Sequence, residues 1–490
     1  MIADLLNLLT IVHFMSMAGL AVYGLHRLWM IGCLVSMPPR SSRPYPSPPS
    51  PLPMVTVQVP LYNEPRVSRR IIDAVAALDW PDERLQIQIL DDSDDETCAI
   101  TKKRALFWRS KGKQITVIQR HHRMGYKAGA LSHALPQATG EFIAVFDADF
   151  VPAPDFLKKA MPYFCEPDIG MVQARWDFLN ANVSWLTRLQ ALLLSAHFGV
   201  EHRVRWYRGL FFNFNGTAGI WRKIAIETAG GWQSDTVTED LDLSYRAQLT
   251  GWRFVYLQDV SVPSELPITL TDFRSQQERW SKGAIQTARK LLPRLLSASL
   301  PIAVKVEAAF HLLANWCWVF GFSATLTLYP VLVNRSGIGM NQILWFDLPL
   351  FLFTAGAVVL YYLAYGIKSG LSSSLFSLPL LPIASIGLAP FFSVAVVKGV
   401  LQKGGVFTRT PKFGIVDKDT GKSRDFSGPE KSYPHLFINL VLFTYMMAPV
   451  LFSLNRETWP ALPFLCVFPA GFFLMIVCDF QEYLAARKKA

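Results

Sequence analysis

Cysteine is scarce: Cys33, Cys98, Cys165, Cys317, Cys466 and Cys478 are the only six in 490 residues. None stands in a C-x-x-C or at zinc spacing, so no disulfide framework or structural zinc is expected; they read as free thiols of a reducing compartment or of membrane. No G-x-G-x-x-G follows the first strand pattern, and no Walker A sequence occurs. Any nucleotide would therefore be held by side chains and a metal, not by a glycine-rich dinucleotide loop. No serine–histidine or cysteine–histidine nucleophile system stands out. The net charge of +11 comes without an aromatic–basic platform, so nucleic acid is not an expected partner; anionic lipid headgroups account for the charge. No intramembrane charged pair or inverted repeat is visible, which argues against a transporter.

Apolar sequence, by contrast, is abundant: 51% of residues are hydrophobic and 17% charged. The two separate along the chain. Residues 54 to about 297 have the charge density of a soluble domain, and the flanks hold the long apolar runs. Crossing the hydrocarbon core takes about 20 apolar residues. Leu5 to about Tyr23, Leu312–Val333, Leu344–Ile367, His435–Leu454 and Leu462–Phe480 qualify. The first lacks a basic start and a cleavage site, so it is expected to be an anchor. Leu375–Lys398 is also apolar, but Pro379, Pro382 and Pro390 are expected to break it.

Basic residues set orientation. His26, Arg27, Arg40 and Arg43 follow the first run. Lys398, Lys403, Arg409, Lys412, Lys418, Lys422, Arg424 and Lys431 fill one loop, and Arg487-Lys488-Lys489 ends the chain. All three groups ask for the cytoplasmic side. Five spans with the N-terminus outside satisfy them, and a sixth would leave one misplaced. Leu375–Lys398 is thus expected to be re-entrant or interfacial, which its prolines permit. The expected divisions are an N-terminal anchor (1–36), a cytoplasmic domain (54–297), helices with the re-entrant segment (303–398), a basic cytoplasmic loop (399–433), and final helices with a tail (434–490).

Within 54–297, strand patterns alternate with helical ones. Met54–Pro60, Leu85–Leu90 and Ile115–Ile118 read as strands, and Arg66–Leu78 places Ile71, Ile72, Val75 and Leu78 on one helical face. The alternation predicts a parallel sheet with helices on both faces. Glu141–Val145 reads as a buried parallel strand, ending at Phe146-Asp147-Ala148-Asp149. Two aspartates two residues apart on extended chain point the same way, at the carboxyl edge where open α/β sheets bind ligands. Mg²⁺ prefers one or two carboxylates plus phosphate oxygens, so Asp147 and Asp149 suit a metal–diphosphate; a solvated loop is the plainer alternative.

Other segments share this edge. Tyr62 and Glu64 follow the first strand, suited to stack on and bond to a base and ribose, although a simple turn at Asn63 and Pro65 also fits. Asp91 and Asp92 end the second strand, as base or ribose acceptors or as helix caps. Gly125-Tyr126-Lys127-Ala128-Gly129 combines permissive backbone with a cation for diphosphate. Glu239 and Asp240 open a helical pattern, where carboxylates often serve only as dipole partners. Gln276, Arg279 and Trp280 share a helical face.

In order, Pro60-x-Tyr62-Asn63-Glu64, Leu90-Asp91-Asp92-Ser93-x-Asp95, Gly125–Leu131, Phe146–Phe150, Gln173-Ala174-Arg175-Trp176, Asn215–Gly219, Thr238–Leu243 and Gln276-Gln277-Glu278-Arg279-Trp280 resemble the processive family 2 glycosyltransferases. The likeness is strongest to the cellulose synthase-like mannan and glucomannan synthases, over about half the chain. The resemblance implies a GT-A type α/β nucleotide-sugar domain inserted between transmembrane helices. It implies Asp240 as general base beside Glu239; Tyr62, Glu64, Asp91, Asp92, Lys127, Asp147, Gln276 and Arg279 toward the nucleotide sugar; Trp280, Asn215, Gly216 and Thr217 toward the acceptor; and Asp147 and Asp149 toward Mg²⁺ or Mn²⁺. The expected activity is inverting transfer of glucose or mannose, from UDP-glucose or GDP-mannose, to a growing β-linked polysaccharide in a plasma, inner or Golgi membrane. A ceramide-glucosyltransferase-like single transfer to a lipid is the alternative. The family's F-x-V-T-x-K gating segment is only approximated by Phe407-Thr408-Arg409-Thr410-Pro411-Lys412, so a lid is expected there but its use in processive elongation is not.

Overall fold

The computed structural model describes residues 1–38, 49–337, 342–369, 377–406, 409–415 and 433–487. Its α/β domain is built on a seven-stranded sheet ordered β3-β2-β1-β4-β6-β5-β7. The strands are β1 (Val55–Leu61), β2 (Leu85–Asp91), β3 (Gln114–Ile118), β4 (Phe142–Val145), β5 (Ile169–Phe178), β6 (Gly219–Arg222) and β7 (Arg253–Ser264). Both faces are covered, as the apolar strand sequences require. In β4, Phe142 and Ala144 pack with Val55, Val57 and Val59 of β1 and the helix Ser68–Ala76. The alternate residues Ile143 and Val145 pack on the other face, against the helix Tyr126–Ala134. Gln58 of β1 is polar yet buried, and its amide donates to Gln88 Oε1 at 2.9 Å.

The expectation of a parallel sheet holds for β3, β2, β1 and β4, and for β5 beside β7. It fails at β6, which is antiparallel to both β4 and β5. The cause is where the chain enters. Residues just before β6 meet the carboxyl edge of β4: the Asp147 amide donates to Thr217 Oγ1 at 2.8 Å and the Ala218 amide to Val145 O at 2.9 Å. A strand that begins at that edge must run away from it.

Among the described residues six helices are long and apolar enough to cross a membrane by length and composition: Ile2–Ser36, Trp316–Asn334, Trp345–Ser369, Leu380–Leu401, Pro434–Asn455 and Trp459–Ala485. The prolines expected to break Leu375–Lys398 do not. Leu380–Leu401 is one helix with Pro379 as its N-cap and only Pro390 well inside. Pro382 falls in the first turn, where backbone amides have no helical partner to lose. Both ends of this helix meet the α/β domain. Leu381 and Ala384 cluster with Leu189 and Leu192 of the domain helix Trp185–Ala196 and with Met30 and Leu34 of the first helix. At the other end, a Cβ on Gly399 would lie 2.7 Å from Lys282 O.

The helix Leu270–Ser297 joins the domain to these membrane helices. The absence of charged pairs read from the sequence is also corrected, for Asp479 in the last apolar helix is fully buried against Arg274.

Candidate active site

The carboxyl edge of the sheet forms one cleft, with Tyr62 and Glu64 after β1, Asp92 after β2, and Asp147 and Asp149 after β4. Lys127 enters at the N-terminus of Tyr126–Ala134, and Glu239 and Asp240 at that of the helix Glu239–Leu249. Asn215 and Gly216 come from the loop before β6, Gln276, Arg279 and Trp280 from Leu270–Ser297, and Arg409, Thr410 and Lys412 from the basic loop. Segments scattered over some 350 residues of sequence thus converge.

Two expected site residues do not line it. Asp91 is buried at the end of β2, where its carboxylate accepts from Thr101 Oγ1 at 2.5 Å and from the Ser93 amide at 3.1 Å. It caps the following turn, and Asp92 is the member of the pair that faces the cleft. Thr217 lies behind the wall and acts on Asp147 through the hydrogen bond given above. Phe407 and Thr408 lie outside the described residues.

The centre of the cleft is a charge cluster around Gly216. Lys127 Nζ donates to Asp147 Oδ1 at 2.5 Å and to Gly216 O at 2.9 Å. Gly216 has φ +82°, and a Cβ there would lie 2.9 Å from Asp240 Oδ2 and 3.4 Å from Lys127 Nζ. The position therefore needs glycine both for its backbone and for the space. Burial, reinforced by the Glu239 carboxylate, pushes the Asp240 carboxyl up to about 7, with Lys127 pulling the other way. Burial opposes the charge on Lys127, but Asp147 and Glu239 outweigh it and raise its proton affinity. Burial lowers the Arg279 guanidinium somewhat, against the pull of Glu239, Asp147 and Asp240; it stays cationic at neutral pH.

The Tyr62 and Asp92 side of the cleft holds residues the sequence reading missed. Arg120 donates from Nε to Asp92 Oδ1 at 2.9 Å, and its guanidinium also bonds Met124 O and Tyr126 O at 2.8 and 2.9 Å. It thereby ties Asp92 to the turn that presents Lys127. The Arg123 guanidinium lies 3.3 Å from the centre of the Tyr62 ring. Glu265, just after β7, accepts from Arg70 at 2.6 Å and from the Phe413 and Gly414 amides at 3.2 and 3.0 Å. Arg120-His121-His122-Arg123 follows β3, so the edge rule that selected Asp92 would have found both arginines. Trp176, Phe178, Leu194 and Pro267 add an apolar wall, and its signal was present in the Gln173–Trp176 motif.

The described residues 409–415 of the basic loop lie against the Glu64 and Asp149 side of the cleft. Lys412 Nζ donates to Asp149 Oδ2 at 2.8 Å and to Glu265 O at 3.2 Å, while Arg409 pairs with Glu64 at 3.6 Å. Burial pushes the Glu64 carboxyl up to about 8, with Arg409 opposing. With the loop in place the cleft keeps about 160 Å³ of free space, below the 300–1,000 Å³ of common small-molecule sites.

Among the described residues no group of three His, Cys, Asp or Glu side chains is placed to hold a metal. The pair Asp147 and Asp149 nevertheless fits a dication that brings its other ligands as phosphate oxygens. In this structure each of the two carboxylates pairs with a lysine, Lys127 on Asp147 and Lys412 on Asp149.

This sheet, with acidic residues and a cation gathered at its carboxyl edge, defines a nucleotide-sugar domain of the GT-A type. Residues 51–283 match the family described as glycosyltransferase like family 2. The chain is 48% identical over 248 residues to a probable glucomannan 4-beta-mannosyltransferase 9 of Oryza sativa subsp. japonica, covering 49% of this chain and 46% of that one. It is 47% identical over 249 residues to glucomannan 4-beta-mannosyltransferase 2 of Arabidopsis thaliana, covering 50% and 47%. The matched region thus spans about half the length of these curated relatives. Among solved structures, a mannosyltransferase from Pyrobaculum calidifontis in complex with GDP-Man and Mn²⁺ shares the fold at a TM-score of 0.53 and 19% identity, over 80% of this chain and 99% of that one.

Proposed function

We propose that the chain is an inverting hexosyltransferase of the membrane that extends a β-linked polysaccharide, with mannose from GDP-mannose as its leading donor. The mannosyltransferase names of its relatives support the sugar, and the apolar helices around the domain support the membrane setting. The observation that carries the chemistry is the convergence of Lys127, Asp147 and Asp240 around Gly216.

Asp240 takes the proton of the acceptor hydroxyl. That oxygen forms a bond to the anomeric carbon while the bond from this carbon to the diphosphate oxygen breaks, so an α-linked donor yields a β-glycoside. A carboxyl raised to about 7 by burial and by Glu239 suits a base working near neutrality. Lys127 and Arg279 supply positive charge for the departing diphosphate, and Asp92 and Tyr62 face the nucleoside. Trp280 and the apolar wall offer a sugar ring a surface to stack on. Asp147 and Asp149 would hold a divalent cation, Mg²⁺ or Mn²⁺, which when bound neutralises diphosphate charge.

The helix Leu380–Leu401 lies along the membrane face of the domain without crossing, since both of its ends pack there. The domain is then cytoplasmic, as the distribution of basic residues requires.

The test is the product made by purified protein in vesicles from radiolabelled GDP-mannose, with UDP-glucose in parallel. A β-mannanase-sensitive polymer is the expected outcome. A lipid-soluble monoglycoside would replace this reading with single transfer to a membrane acceptor, and no product from either donor would overturn it.

A further inference from the structure

The Leu270–Ser297 helix carries Gln276, Arg279 and Trp280 into the cleft, and its N-terminus is held from the membrane side. Leu270 and Thr271 are its first two residues, whose backbone amides have no helical partner. Both donate to the carboxylate of Glu482, at 2.5 and 3.3 Å, and the Thr271 hydroxyl adds a bond of 2.6 Å. Glu482 lies in the last helix, Val467–Arg487. One turn earlier in that helix is Asp479, which shares the same face. Its carboxylate takes the guanidinium of Arg274 in a fork, at 2.5 and 3.3 Å, and accepts from Asn439 Nδ2 at 3.0 Å. Arg274 and Asp479 are 5% and 0% exposed. The guanidinium is also stacked 4.5 Å from the Phe391 ring of Leu380–Leu401.

Further along, the same helix is pinned to Val237 and Thr238, the loop that presents Glu239 and the proposed base Asp240, here the catalytic loop. A Cβ on Gly283 would lie 2.4 Å from Thr238, and the Val237 amide donates to Gln286 Oε1 at 3.0 Å. Arg279 and Trp280 sit between the two fixed points. A carboxylate at a helix N-terminus and a forked, buried arginine pair both demand specific geometry. Together they set the helix along and around its axis, where general packing would leave sliding and rotation open.

We propose that Glu482 and Asp479 are positioning residues, which fix from the last membrane helix the register at which Arg279 meets the diphosphate. The inference rests on the proposed role of Arg279, and goes beyond it by assigning two membrane-helix carboxylates to the reaction.

A double-mutant cycle in the full-length protein in vesicles tests it, reading competitive inhibition by GDP alongside kcat. R279A alone should weaken GDP inhibition at least tenfold. E482A should weaken it several-fold and lower kcat, with the protein still monodisperse and inserted. In the R279A background, E482A should have almost no further effect on GDP, because its influence runs through Arg279. E482Q, which keeps one acceptor oxygen, should recover most of the loss, and D479N should behave likewise relative to D479A. Should E482A and R279A multiply independently, or E482A leave GDP inhibition unchanged while R279A weakens it, the positioning role is overturned. An R279A variant with normal GDP inhibition would instead remove the diphosphate role of Arg279 itself. A non-inserting E482A would move the cycle to T271V, which removes the hydroxyl bond to Glu482 and should weaken GDP inhibition non-additively with R279A; an additive T271V, or one without effect, overturns the positioning role.

Discussion

At the scale of single residues, the site is governed by what surrounds Asp240. Its carboxyl is raised to about 7, first by burial and then by Glu239, and lowered by Lys127. In the proposed role of base it must be deprotonated, so turnover should rise with pH through an ascending limb near 7. Removing the Glu239 charge with E239Q should move that limb to lower pH; removing the Lys127 charge with K127M should move it higher. D240N should lose at least about 10²-fold in kcat, the lower range for a positioned base, while still binding nucleotide. A pH–rate profile of each variant checks the signs, and an unshifted limb in E239Q would detach it from Asp240. Gly216 makes a second prediction. Its Cβ position is 2.9 Å from Asp240 Oδ2 at φ +82°, so G216A should displace the base and abolish turnover, with a stability loss of about 1 kcal/mol or more from the left-handed backbone. Thermal melting of the purified variant, read beside turnover, separates the two effects.

Most of this cleft was legible in the sequence because strand ends gather at one edge and the motifs follow in order. The two aspartates do reach that edge, but not on extended chain as expected: β4 ends at Val145 and Ala148-Asp149 form a turn, closed by the Phe150 amide on Asp147 O at 3.1 Å. What stayed hidden depends on partners far away in sequence. Asp91 could not be separated from Asp92 without knowing that Thr101 would reach its carboxylate. Arg274 and Asp479 are 205 residues apart, so neither reads as half of a pair.

At the scale of elements, the four strands β1 to β4 were expected within a residue, whereas β5, β6 and β7 were not read as strands and the antiparallel run of β6 breaks the expected parallel sheet. Periodicity reports that a strand is buried, not which way it runs. The helix Leu380–Leu401 shows the same limit from the other side. Its length of about 33 Å, at 1.5 Å per residue, would cross a bilayer, yet its two ends meet the same domain. The proposed interfacial placement rests on parity of the basic loops together with the packing of both ends. Single cysteines at Lys403 and Val406, in a background without the six native ones, should stay unlabelled by an impermeant maleimide in intact cells and label after permeabilisation. Labelling from outside would mean that the helix crosses.

At the scale of the whole molecule, the cleft is closed by a segment that the chain reaches only after the Leu380–Leu401 helix. Arg409 and Lys412 lie on Glu64 and Asp149, and Gln286 ties the loop's start to the catalytic loop through Gly404 O at 2.8 Å and the Val237 amide at 3.0 Å. Donor entry therefore requires the segment to withdraw or to share the site. Asp149 cannot satisfy a lysine and a dication equally, since both draw on the same oxygens. Burial disfavours the Lys412 charge, yet Asp149 raises its proton affinity, so the pair is present at neutral pH and would oppose the proposed metal. Releasing a charge-assisted hydrogen bond is worth roughly 1.5–3 kcal/mol before compensation by water. K412Q should accordingly lower the Mn²⁺ concentration needed for half-saturation several-fold, measured by loss of the free-ion electron paramagnetic resonance signal in the presence of GDP. D149N should raise it, and D147A or D149A should abolish transfer in a protein that still inserts. A K412Q protein that needs as much Mn²⁺ as the parent, or more, would show that Lys412 assists the metal–diphosphate complex and does not compete with it.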